Sequence, residues 1–209
     1  GGGLMLLVVC VMMGRHAWPQ LNWLHVRTYL VWGGLGIAAP ITLLTYVAPN
    51  LPAAVMTMIL VLVPLFTYLF ALLLRMESFR ILSVLALAVG LGGVLLVIVP
   101  GASLPDAEAA GWVLLALLAP ACFSLVTVFA GKFRPPDAPS ATLACGLLLG
   151  SALLLVPVMF GTGQLYVFPG PSLEGDLTLL YASALSVVIF YVFLEMVRVA
   201  GPVFATQHN

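Results

Sequence analysis

Five consecutive stretches of the chain, residues 28–47, 51–74, 81–99, 110–130 and 140–160, contain no Asp, Glu, Lys or Arg. Each comes close to the roughly 20 apolar residues an α-helix needs to cross a hydrocarbon core ~30 Å thick, and none could cross twice. A further stretch, 177–197, is apolar up to Glu195, and partial ones stand at 1–14 and from Gly201 onward. Backbone amides in hydrocarbon have no water to bond, so such segments fold as helices. The expected fold is an all-α, polytopic membrane helix bundle. Composition agrees, since 63% of the residues are hydrophobic and only 7% charged. A soluble domain carries about 25% charged residues.

The charges between these stretches are ordered. Arg15 and Arg27, then Arg75 and Arg80, then Lys132 and Arg134, then Arg198 occupy alternate loops. The intervening loops carry no charge around Pro49, only Asp106 and Glu108, or only Glu174 and Asp176. All seven Lys and Arg residues therefore fall on one face, which the positive-inside rule makes cytoplasmic. The expected location is the cell membrane (a bacterial inner membrane), multi-pass, with the basic loops inside. The lipid bilayer is thus a partner, and Arg15, Arg27, Lys132 and Arg134 suit its anionic inner leaflet. A net charge of zero gives no footprint for nucleic acid.

Pro64, Pro120 and Pro157 lie inside apolar stretches, where proline frees a carbonyl and can bend a helix. Gly34 and Ala38, Ala86 and Gly90, and Gly146 and Gly150 are each four residues apart, the small-residue spacing of closely packed membrane helices. The chain begins in apolar sequence without an initiator Met and ends as a new apolar stretch starts, so it reads as a fragment cut at both ends.

A weak internal repeat accompanies this order. Val11-Met12-Met13-Gly14 aligns with Val158-Met159-Phe160-Gly161, and Val47-Ala48 with Val199-Ala200. The charge pattern makes the paired segments antiparallel across the membrane, as inverted-repeat transporters are built. Residues 1–100 and 110–209 are the two expected repeats.

Several stretches carry a resemblance to a family. They are Tyr46-Val47-Ala48-Pro49-Asn50-Leu51-Pro52-Ala53-Ala54, Leu62-Val63-Pro64-Leu65-Phe66-Thr67, Gly90-Leu91-Gly92-Gly93-Val94 and Ala200-Gly201-Pro202-Val203-Phe204-Ala205-Thr206-Gln207. With Glu77 after the 51–74 stretch, they make the chain resemble the drug/metabolite transporter superfamily, specifically its EamA-type members. Met76-Glu77-Ser78 departs from that family, which more often has a Glu-Arg pair there. The resemblance implies two inverted five-helix repeats, here truncated. The first repeat would lack its first helix and the second most of its last two. It also implies a secondary carrier for small organic solutes such as metabolites or amino acids, working by alternating access, with efflux the favoured direction.

In that family the central cavity is lined by the helices matching 28–47, 51–74, 177–197 and the segment from Gly201. Polar residues there are the candidate substrate-binding set: Thr45, Tyr46, Thr57, Thr67, Tyr68, Ser186, Tyr191, Gln207 and Asn209. The competing account has each Ser and Thr bonded to its own helix carbonyl and each Tyr at the interface. Glu195 lies near a span end with Arg198 three residues on, which favours an ion pair over a proton relay.

Enzyme motifs are absent: there is no HExxH, no GxSxG and no phosphate-binding GxxxxGK[ST] loop. Cys10, Cys122 and Cys145 are scattered, and His16 and His25 flank Trp18 and Trp23 as an interfacial aromatic cluster does. No enzyme activity, cofactor or metal is expected. The rival classes are an integral-membrane enzyme on lipid-linked substrates, which needs convergent polar groups at one depth, and a non-transporting membrane scaffold.

Overall fold

The computed structural model describes residues 21–79, 81–98, 109–136, 138–163, 170 and 172–206. Among these, all regular structure is helical: α1 (Trp23–Gly33), a π-helical turn (Gly34–Ala38), α2 (Ala39–Val47), a 3-10 turn (Ala48–Asn50), α3 (Ala53–Leu60), α4 (Val63–Leu73), α5 (Ile81–Ile98), α6 (Ala109–Ala116), α7 (Leu118–Lys132), α8 (Ser140–Thr162), α9 (Leu173–Ala200) and α10 (Pro202–Ala205). Five helical stretches are long and apolar enough to cross a membrane: Trp23–Asn50, Ala53–Leu73, Ala110–Lys132, Ser140–Thr162 and Leu173–Ala200. The uncharged helix α5 adds eighteen more apolar-patterned residues. The 1–14 stretch, and with it one arm of the expected repeat, lies outside the described residues.

Three of the five stretches are interrupted, and in each case a proline explains where. Proline lacks an N–H and its ring clashes with the carbonyl four residues back. Four residues before Pro64 is Leu60, the last residue of α3, and four before Pro120 is Ala116, the last residue of α6. Four before Pro40 is Gly36, in the middle of the π-helical turn. Pro157 is different, because α8 runs through it unbroken. Freed backbone is tolerated in a membrane where neighbouring groups satisfy it. Next to the α3–α4 break, the Ser124 hydroxyl on α7 donates to the Val63 carbonyl at 2.8 Å and ties α7 to the start of α4; the carbonyl freed by Pro64 is that of Leu60.

The contacts divide the chain into two compact units, Gly1–Ala38 with Phe133–Val199, and Ala39–Lys132 with Ala200–Asn209. In the first unit α1 packs along α8. Gly33, Gly146 and Gly150 make that approach possible. A Cβ at Gly150 would stand 2.4 Å from the Tyr29 carbonyl oxygen, and one at Gly33 2.5 Å from the Ser151 amide nitrogen. The Gly146–Gly150 pair marked by its spacing is thus a genuine contact, joined by Gly33. Asn22 caps α1, its Oδ1 accepting the His25 amide at 2.9 Å.

In the second unit α7 packs against α2 and α4, and α6 against α2 and α3. Its core joins Val47, Leu51, Val55, Ile59, Val113 and Ala116, all buried. Beyond the end of α4 and its cap Leu74, Arg75 has a φ of 56°. Met76 N–H reaches the Ala71 carbonyl at 2.8 Å and Arg75 N–H the Leu72 carbonyl at 3.0 Å. This is the Schellman arrangement with arginine where glycine is usual. The Lys132 ammonium donates to the Leu74 carbonyl, so a cation satisfies the negative end of the helix.

Candidate functional site

The first unit holds an open groove with a volume of about 640 Å³. It forms where the 133–139 loop meets the start of α8 and the last turns of α9. Pro135, Pro136 and Pro139 prevent α7 and α8 from merging into one helix, which leaves Arg134 in the loop between them. The groove is lined by Arg134, Ser140, Tyr191, Glu195 and Arg198 together with those prolines and two alanines.

The polar groups form one chain. Arg134 donates to the Ala138 carbonyl at 2.8 Å, to Ser140 Oγ at 2.9 Å and, at a longer 3.4 Å, to the Leu194 carbonyl. Ser140, only 4% exposed, donates onward to the Glu195 carboxylate. Arg198 closes the other side, its Nε 3.1 Å from both carboxylate oxygens, with an Nη2 contact completing the ion pair. Burial and the nearby Arg198 charge pull the Arg134 guanidinium below its usual value, and Glu195 opposes them. An arginine starts so high that it keeps its charge at neutral pH.

The pairing of Glu195 with Arg198 expected from their spacing is present. Helix α9 begins at Leu173, earlier than the 177–197 reading placed it, with Glu174 and Asp176 in its first turn. Carboxylates are favoured at that positive end. At 1.5 Å per residue, Glu195 then lies about 33 Å from the start of α9, beyond the depth of a hydrocarbon core. Arg134 and Ser140 were not legible as partners, because nothing in the sequence brings residues 134 and 140 to residue 195. The proline cluster beside Arg134 was the available signal.

The candidate substrate-binding residues are placed as follows. Thr45 donates to Ile41, Thr57 to Ala53 and Ala54, Thr67 to Val63 and Ser186 to Ala182, all carbonyls of their own helical stretch. Thr67 is wholly buried, while Thr45 and Thr57 are exposed. Tyr46 is exposed and packs its ring on Trp112 at 5.7 Å. Tyr68 is buried and donates to the Ser78 carbonyl at 3.2 Å. Tyr191, in the first unit, lines the groove. Gln207 and Asn209 lie outside the described residues. Thr45, Tyr46, Thr57, Thr67 and Tyr68 share the second unit, and Ser186 and Tyr191 the first.

These helices define the chain as a multi-pass α-helical membrane protein. Compared with known proteins, it matches no family model, no curated protein and no solved structure. Among the described residues no cluster of three His, Cys, Asp or Glu side chains could hold a metal ion.

Proposed function

We propose that the chain belongs to a secondary carrier of the drug/metabolite, EamA-like kind, moving small organic solutes across the cytoplasmic membrane by alternating access. Export is the favoured direction, and two inverted repeats the favoured architecture. One observation carries the reading: three of the five span-length stretches are interrupted within their length, at Gly34–Ala38, Val61–Leu62 and Leu117. Unwound or overwound backbone at membrane depth is tolerated only where it is buried in protein or lines a cavity. Discontinuous helices are how many secondary transporters expose backbone groups to substrate near the midplane. A non-transporting scaffold has no need of such breaks. An enzyme on lipid-linked substrates needs converging reactive groups, and Glu195 is already engaged by Arg198 and Ser140.

The test begins with a thermal-shift screen of the detergent-solubilised protein against metabolites and amino acids, since a ligand that binds only the folded state raises its melting temperature. Solutes that stabilise it are then tested for counterflow in proteoliposomes. A carrier gives solute-dependent stabilisation and counterflow of the same compounds. Stabilisation by none of them, together with absent counterflow, refutes the reading.

A further inference from the structure

The groove beside Arg134 holds more donors than its own residues use. A guanidinium carries five N–H groups. Arg134 spends three, on Leu194, Ala138 and Ser140, leaving Nε and one Nη1 hydrogen without a described partner. Arg198 engages Glu195 through Nε and Nη2, leaving Nη1 free of described partners, and its side chain is 55% exposed. Tyr191 adds a phenol to the same lining. Two guanidinium groups therefore face one carboxylate among the described lining residues. Asp137, in the same loop, lies outside the described residues.

We propose that this groove binds a phosphodiester monoanion. Two arginine forks approaching from different chain segments, the 133–139 loop and α9, suit a tetrahedral oxyanion, whose oxygens point in several directions. One anionic charge matches the excess of one cation among the described lining residues. Ser140 and Glu195 link the two guanidinium groups in one chain of hydrogen bonds, which a Gln at 195 can keep through its amide oxygen. The surroundings favour a lipid headgroup as the source of the phosphodiester. Leu185, Val188 and Val192 recur at helical spacing with Tyr191 and Glu195 and are exposed. An apolar strip thus leads away from the groove along α9, where acyl chains could lie. A basic pocket beside the end of a spanning helix is a recurrent way of holding anionic headgroups. The inference does not depend on transport.

The experiment uses the full chain in detergent, with native mass spectrometry as readout. The probes are phosphatidylglycerol, the diacylglycerol of the same chains, which lacks the phosphate, and glycerophosphoglycerol, the soluble deacylated headgroup. Phosphatidylglycerol is expected to be retained over diacylglycerol. Arg198→Gln, at an exposed position that leaves the fold intact, is expected to weaken retention about tenfold or more, the loss of a charge-assisted bond. Arg134→Gln weakens it too, and a melting curve separates that loss from unfolding. Arg75→Gln removes an equal charge from an exposed site in the other unit and leaves retention unchanged. Glu195→Gln removes the competing carboxylate and tightens retention about threefold or more. Comparable binding of glycerophosphoglycerol assigns the site to soluble phosphodiesters, and binding of the lipid alone assigns it to the headgroup. Binding of neither overturns the proposal. So does an equal loss in Arg75→Gln and Arg198→Gln, or weaker retention in Glu195→Gln.

Discussion

Replacing Gly150 with alanine isolates the α1–α8 approach from every other source of stability. The added Cβ would lie 2.4 Å from the Tyr29 carbonyl oxygen and 2.8 Å from its carbonyl carbon, where ordinary contact begins at 3.4 Å. Relief needs a separation of about 1.0 Å (3.4 − 2.4), and the obstacle is helix backbone, which no rotamer change can move aside. A gap of 0.5–1 Å already forfeits roughly a quarter to a half of each dispersion contact along the seam. That seam buries Tyr29, Trp32, Leu143, Ala144 and Leu147. The expected cost is at the upper end of the range for overpacking, about 1–3 kcal/mol. Gly161 lies on the same helix with nothing within 4 Å of its would-be Cβ. Gly161→Ala should therefore be neutral or gain up to about 1 kcal/mol of helix propensity. Thermal unfolding of the two variants in one detergent compares identical chemistry with opposite expected sign. Equal shifts in melting temperature would refute the reasoning, because the seam would then not be a backbone-to-backbone contact.

Other substitutions test separate parts of the fold. Arg75→Gly relieves a left-handed residue that costs an L-amino acid about 1–2 kcal/mol, so a higher melting temperature is expected, less the extra entropy glycine has when unfolded. Ser124→Ala removes the bond from α7 to the Val63 carbonyl. Interhelical bonds of this kind contribute about 0.6 kcal/mol in membranes, so a small drop in chemical-denaturation midpoint is expected. Pro120→Ala supplies the N–H that the Ala116 carbonyl lacks, worth about 0.5–1.5 kcal/mol. Under the carrier reading it raises stability while slowing counterflow, and faster transport would count against a role for the break. Glu195→Gln should leave the pH profile of uptake unchanged, since the carboxylate is held in an ion pair and a hydrogen bond. A profile displaced by the substitution would revive a proton-relay role.

Membrane residence, helical class and the approximate bounds of the spans follow from sequence, because hydrocarbon imposes one rule on every segment: satisfy the backbone internally and stay apolar for about 20 residues. Short-range features are legible for the same kind of reason. The Glu195–Arg198 pair lies within one helical turn, and the breaks at Leu60 and Ala116 follow from the covalent structure of Pro64 and Pro120. Pro40 interrupts its stretch in the same way, but the π-helical form of that break depends on surroundings that sequence does not supply.

What only the tertiary structure decided is which distant groups meet. Spacing marked Gly146 and Gly150 alongside other small-residue pairs of equal promise, but Tyr29 and Ser151 single out those two and Gly33. The hydroxyls of Thr45, Thr57, Thr67 and Ser186 were candidates for substrate by type, yet each donates to a carbonyl within its own helical stretch. Arg134 reaches Ser140 across a proline-rich loop, and Ser140 reaches Glu195 fifty-five residues on. Sequence periodicity describes one helix at a time, so it orders the charged loops and bounds the spans. It does not rotate one helix against another, and that rotation is what assembles the Arg134–Ser140–Glu195–Arg198 groove.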